Sequence, residues 1–256
     1  MDVDAFLARI GAERPIAPTA DALRRLQVAH LLAVPFENLD IGLGRLISLE
    51  LAAIFAKVVE RHRGGFCYEL NGLFGWLLGE LGYRVTFLSA RTADEDGTVG
   101  PEFDHLVLRV DLDEPWLADV GFGDTFREPL RLGEGEQRDS LGRAYRLERE
   151  GDDWILRERR SLDEPWTAQY RFTLVPRQLA DFVPMCRWQE TEAPYFTGHR
   201  VCSRSRPDGR VTLYDDRLIV HASGQRTERA VDEREVPELL RELFGVTLDP
   251  GGAPEA

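Results

Sequence analysis

Cys67 follows Gly64-Gly65-Phe66 directly and opens an apolar helical run. A glycine pair ends one element and permits a sharp turn, so the thiol is expected at a helix N-terminus. Free N–H groups and the positive end of the helix dipole there stabilise a thiolate, and the same N–H groups can hold an oxyanion. The chemistry this points to is nucleophilic catalysis by sulfur, set against the ordinary alternative of a buried, inert cysteine.

A sulfur nucleophile needs a base, and the base needs an orienting group. Of the five histidines, His30 lies on an amphipathic helix and reads as a packed or surface residue, and His62 fits a helix C-terminus. His105 opens an alternating strand, and Asp119 sits on the strand that follows. If residues 111–115 form the connection, Val110 faces Trp116 and Val107 faces Asp119. His105 is then one pleat step away on the same face, within reach of the carboxylate. An unrelated histidine and a surface aspartate remain the alternative, and spacing alone does not bring Cys67 to His105. Gly121-Phe122-Gly123 follows Asp119; its glycines either allow a ligand to approach the backbone closely or simply end a strand. Phe36, at a helix exit, reads as core or as pocket wall.

The elements that must position these groups fall into three stretches. Thr19 can cap a helix running through Leu31 to Pro35, and Ser48 can cap a second with Ile54, Phe55, Val58 and Val59 on one face. A third runs from Leu70 to Leu81 and stops at Gly82. From Val85 the period changes to two, with strands at 85–88, 106–110, 116–120, 145–147, 154–156 and 166–174. Strands without long helices between them predict an antiparallel sheet or small barrel. A short helix is expected around Leu179, Phe182 and Met185. A hairpin follows around Asp215-Asp216, then a helix from Pro237 to Gly245 and a fraying tail from Asp249 to Ala256.

Bulk properties narrow the function class. The 256 residues are 43% hydrophobic, with no apolar run near 18, so no transmembrane helix is expected. An acidic N-terminus without a signal pattern, and three widely spaced cysteines, suit a reduced cytoplasm without disulfides or a zinc site. A net charge of -13 disfavours nucleic acid and anionic membranes as partners. An anionic, nucleotide-based ligand would need a local cluster of arginines; Lys57 is the only lysine.

Four segments in order carry a resemblance. Val34-Pro35-Phe36-Glu37-Asn38-Leu39, Arg63-Gly64-Gly65-Phe66-Cys67-Tyr68-Glu69-Leu70-Asn71-Gly72, Asp104-His105-Leu106 and Asp119-Val120-Gly121-Phe122-Gly123 resemble the signatures of arylamine N-acetyltransferases. The likeness is strong over roughly residues 20–130 and continues more weakly to Leu218. It implies an α+β fold with a cysteine-protease-like core: a helical domain at 1–83 with the nucleophile, an antiparallel β-barrel at 84–190 with His and Asp, and an α/β lid at 191–256. It implies a Cys67-His105-Asp119 triad and an oxyanion site at the Cys67 and Tyr68 backbone. Phe36 and Phe122 would line the acceptor pocket, with Gly121 and Gly123 against the coenzyme. Acetyl would pass from acetyl-coenzyme A through a Cys67 thioester to an arylamine or arylhydrazine, with no metal. Pro101-Glu102 and the stretch Thr191 to His199 depart from the family pattern, near the cofactor and in the lid. Alternatives with the same triad are an amide synthase acting on a carrier-bound acyl chain and a Cys-His-Asp hydrolase; a non-catalytic binding module is the third.

Overall fold

The computed structural model describes residues 1–94, 97–133 and 135–248; the tail expected to fray lies outside them. Helices α1 (Val3–Ile10), α2 (Ala20–Ala33), α3 (Leu39–Gly42), α4 (Leu51–Phe55) and α5 (Cys67–Glu80) make the first part, with a two-residue strand β1 (Phe36–Glu37) between α2 and α3. Thr19 caps α2, accepting a 3.2 Å bond from the Ala22 N–H. Ser48 does not cap α4. Its hydroxyl accepts from Glu50, and the helix begins only at Leu51, then widens into a π-helical turn over Ala56–Glu60. α1 went unforeseen, because an eight-residue helix gives too little periodicity.

Nearly every position of α5 from Cys67 to Leu78 is buried, so this helix is enclosed all round and forms the axis of the first core. Gly75 sits where a Cβ would come 2.4 Å from the Phe87 ring, which lets α5 lie directly on the sheet behind it.

That sheet has eight antiparallel strands: β2 (Arg84–Thr92), β3 (His105–Asp111), β4 (Pro115–Ala118), β5 (Leu130–Arg131), β6 (Glu136–Arg138), β7 (Ala144–Glu150), β8 (Asp153–Arg159) and β9 (Thr167–Arg177). Their spatial order is β5-β4-β3-β2-β9-β8-β7-β6. Its two edges meet. Gln137 on β6 bonds the Arg131 backbone on β5 from both ends of its amide, at 2.8 and 3.0 Å, so the sheet closes as a barrel through a side chain. The register assumed for the strands on either side of residues 111–115 is the one found between β3 and β4: Val110 pairs with Trp116 and Leu108 with Ala118.

The chain then makes α6 (Val183–Thr191) and α7 (Pro194–Gly198), four strands β10 (Val201–Arg206), β11 (Gly209–Tyr214), β12 (Arg217–Ala222) and β13 (Gln225–Ala230), and the short α8 (Val236–Leu239). The expected hairpin turns at Asp215, which takes a left-handed φ of 49°. The sheet order is β1-β10-β11-β12-β13, so Phe36 and Glu37 of the helical part supply its first strand. Asn38 fastens that junction: its amide donates to the Phe196 and His199 carbonyls and accepts from the Val201 N–H. Among the described residues no helix is long and apolar enough to cross a membrane.

His30 is fully buried between Phe6 and Phe74, and neither ring nitrogen has a hydrogen-bond partner. Burial, then Arg9, pushes its pKa down to about 3. Its unfolded value is about 6.5, so below that pH the unfolded chain takes a proton that the folded one refuses. Stability from this residue is whole above about pH 6.5 and is lost as pH falls toward 3, by about 2 kcal/mol at pH 5. Chemical denaturation of His30→Leu should therefore show a drop in stability between pH 7.5 and 5 that is about 2 kcal/mol smaller than in the parent. An equal drop in both proteins would contradict this.

Candidate active site

The backbone around Cys67 is held from below by a buried group of charges. Lys57 lies 2.7 Å from Asp40 and 2.8 Å from Glu69; Arg63 lies 2.8 Å from Glu37 and 3.0 Å from Asp40. Burial alone would lower the Lys57 ammonium, but Glu69, Glu37 and Asp40 together raise it. Burial pushes the Glu69 carboxyl up to about 7, against the pull of Lys57. Glu69 also accepts the Phe66 N–H at 3.1 Å, which caps the start of α5. The two glycines fit this packing. A Cβ on Gly64 would lie 2.1 Å from the Pro35 carbonyl oxygen, and one on Gly65 would lie 2.7 Å from Glu69 Oε2. The only lysine thus serves to position the turn before Cys67.

Cys67 is the first residue of α5, so its N–H and that of Tyr68 have no partner within the helix. Cys67 lines a cavity of about 720 Å³ together with Phe36, His105, Gly121, Phe122 and Gly123. Tyr68 is fully buried and is not part of that lining; its hydroxyl donates to the Phe103 carbonyl at 2.7 Å. Phe36 and Phe122 are half-buried on the wall, and Gly123 takes a left-handed φ of 93°. Gly121 does make a close backbone approach, but to Cys67: a Cβ there would lie 2.7 Å from the Cys67 Cα. The glycine after Asp119 is needed by the sulfur-bearing residue itself.

His105 Nε2 lies 2.8 Å from Asp119 Oδ2, both side chains being buried. A carboxylate only accepts, so Nε2 carries the proton and Nδ1 is the basic nitrogen. Asp119 is itself fixed. Its Oδ1 accepts from Asn71 Nδ2 and from the Gly121 N–H, both at 2.8 Å, and its own N–H donates to Gln27 at 3.2 Å. Asn71 also donates to the Leu106 carbonyl and accepts from Val120, so one side chain of α5 ties both barrel strands to the helix of Cys67. Tyr170 packs against His105 with centroids 5.4 Å apart and the rings tilted by 47°; burial, then Asp119, raises its hydroxyl well above the ordinary range.

Asn71, Gln27 and Tyr170 were not singled out from the sequence. Asn71 had a signal: it lies four residues after Cys67, a polar group on an otherwise apolar helix.

The expectation of a depressed thiol is not met. Burial pushes the Cys67 thiol well above its ordinary value, Asp104 adds to this, a Leu106 backbone hydrogen bond opposes it, and Asp119 and Cys186 add further. A helix N-terminus does not outweigh full desolvation together with two carboxylates. Ionisation here therefore requires proton transfer to a neighbouring base rather than loss to solvent.

The cavity wall also carries a group of arginines. Arg160, Arg210, Arg226 and His221 line it with Asp124. Asp124 is held by Arg143 at 2.8 Å, Arg210 at 3.2 Å and Arg160 at 3.3 Å, and Glu158 pairs with Arg143 at 3.1 Å and with Arg160 at 3.5 Å. Among the described residues no group of His, Cys, Asp and Glu could hold a metal ion.

A profile of the N-acetyltransferase family matches residues 19–252. The arylamine N-acetyltransferase / N-hydroxyarylamine O-acetyltransferase of Salmonella typhimurium is 37% identical over 252 residues, covering 96% of this chain and 89% of that protein. Proansamycin X synthase of Amycolatopsis mediterranei is 32% identical over 259 residues, covering 95% and 96%. The structure of Mycobacterium marinum arylamine N-acetyltransferase in complex with CoA superposes with a TM-score of 0.88 at 34% identity, covering 96% and 93%. With this match over nearly the whole chain, the chain belongs to the arylamine N-acetyltransferase family.

Proposed function

We propose that this enzyme moves acetyl from acetyl-coenzyme A through a thioester on Cys67 to an arylamine or arylhydrazine. The observation that carries the reading is one cavity holding a cysteine at a helix N-terminus and a histidine bonded to a buried aspartate. His105 Nδ1 takes the Cys67 proton as sulfur attacks the thioester carbonyl. The pair then carries no net charge, which suits a site that resists a lone thiolate, and Asp119 offsets the imidazolium. Backbone N–H groups of Cys67 and Tyr68 receive the oxyanion. The imidazolium returns its proton to the departing coenzyme A thiolate. The amine then attacks the acetyl-cysteine, and His105 takes the amine proton and passes it to the Cys67 sulfur. Two half-reactions through one site require ping-pong kinetics.

The coenzyme's phosphates take the end of the cavity formed by Arg160, Arg210 and Arg226, the local cluster that an overall acidic chain needs for an anionic donor. Gly123 leaves room beside the thioester, Gly121 lets the Cys67 backbone pack against it, and Phe36 and Phe122 flank the acceptor ring. Residues 1–83 supply the nucleophile, 84–190 the base and its partner, and 191–256 the covering lid.

Incubation with acetyl-coenzyme A alone should add one acetyl mass to the intact protein at Cys67, and a panel of arylamines and hydrazines should remove it. An unlabelled protein would end this reading and favour an acyl donor held on a carrier. Release of the label to water at the same rate without amine would favour a hydrolase.

A further inference from the structure

We propose that Asp104 sorts acceptor amines by charge, admitting neutral and cationic rings and repelling those that bear a carboxylate. The proposal rests on the acetyltransferase reading above. Asp104 precedes His105 and lines the cavity with Cys67, Thr92, Gly100 and Gln189. Its Oδ1 accepts from Gln189 Nε2 at 3.1 Å, and its Oδ2 accepts from the Thr92 N–H at 3.3 Å and from the Thr92 hydroxyl. Those donors are all neutral. Among the described residues no lysine, arginine or histidine forms an ion pair with Asp104, whereas Asp124 meets three arginines. Gly100 packs closely against it, since a Cβ there would lie 2.6 Å from Asp104 Oδ2.

The charge also reaches the reacting atom. After burial, Asp104 and Asp119 both act to raise the Cys67 thiol. The cavity is thus divided, with arginines where the donor's phosphates go and an uncompensated carboxylate beside the sulfur. Once Cys67 is acetylated its thioester is neutral, and Asp104 adds a negative charge to the cavity that the acceptor enters. Attack makes the amine nitrogen transiently cationic, which Asp104 favours. A carboxylate carried by the acceptor, roughly 6 Å from Asp104 in a half-wet cavity, is disfavoured about tenfold.

The test uses acetyl-enzyme prepared with acetyl-coenzyme A and verified by intact mass. Its deacylation in a single turnover is compared for 4-aminobenzamide and 4-aminobenzoate, which share a shape and differ in charge. In water the carboxylate withdraws electrons less than the amide, so intrinsic reactivity does not favour the amide. The enzyme is expected to prefer the amide about tenfold, with the preference shrinking as salt is raised. Asp104→Asn should bring the ratio close to one. A second pair needs no variant: the cation 4-aminophenyltrimethylammonium should react faster than neutral 4-tert-butylaniline, in a salt-sensitive way. Equal treatment of both pairs by the parent enzyme, or a ratio that Asp104→Asn leaves in place, would overturn the proposal. A protein that never takes up the acetyl label would instead overturn the acetyltransferase reading, and this inference with it.

Discussion

Cys67→Ala is expected to drop acetyl transfer to the uncatalysed background, a loss on the order of 10⁴–10⁶, with the fold retained. The expectation follows from what surrounds the sulfur. Neither other cysteine can replace it: Cys186 and Cys202 are buried, burial raises both thiols, and neither lines the cavity. Burial, then Asp104, raises the Cys67 thiol, so its proton is best given to a base within the site. Reactivity depends on handing that proton to His105, and alanine has none to hand over. Cys67→Ser keeps the proton but leaves an oxygen far harder to ionise, so it should be nearly as inactive. Melting temperature and intact mass after acetyl-coenzyme A should be read together. A folded Cys67→Ala protein that still gains an acetyl group and passes it to an arylamine would refute the role given to Cys67.

The parts of this site legible in the sequence were those fixed by local chemistry. The glycine pair before Cys67 signalled a turn into a helix, and the alternation on either side of residues 111–115 gave the register that places Asp119 near His105. What stayed hidden was long-range. Lys57 gave no sign of supporting the Cys67 turn, because its partners Asp40 and Glu69 are reached only through the fold. Gly121 suggested room for a ligand, whereas the close neighbour is the Cys67 backbone. The thiol's direction of shift was misjudged for the same reason: a helix N-terminus can be read locally, but burial and the approach of Asp104 cannot. Closure of the barrel through Gln137, and the C-terminal sheet taking Phe36–Glu37 as its edge strand, likewise depend on pairings between distant segments.

Asp119→Asn is expected to keep the shape of the site and lose about 10⁴ in turnover, because the substitution inverts the histidine's protonation. In the parent, Oδ2 faces His105 Nε2 while Oδ1 accepts from Asn71 Nδ2 and the Gly121 N–H. Those two donors dictate how an asparagine would sit. Its oxygen must meet them, since an amide NH₂ turned that way would confront two N–H groups. The NH₂ is therefore aimed at His105 Nε2, which can accept only by giving up its proton. The imidazole's proton moves to Nδ1, the nitrogen that had been free to take a proton from Cys67. A histidine in that form donates to sulfur instead of accepting from it, and no carboxylate remains to support the imidazolium. The loss should appear in kcat/KM for both half-reactions. Melting temperature should change little, because Asn71, Gly121 and Gln27 keep their bonds. Turnover within tenfold of the parent, in a variant that still folds, would show that the His105–Asp119 contact does not set the tautomer on which the proposed mechanism depends.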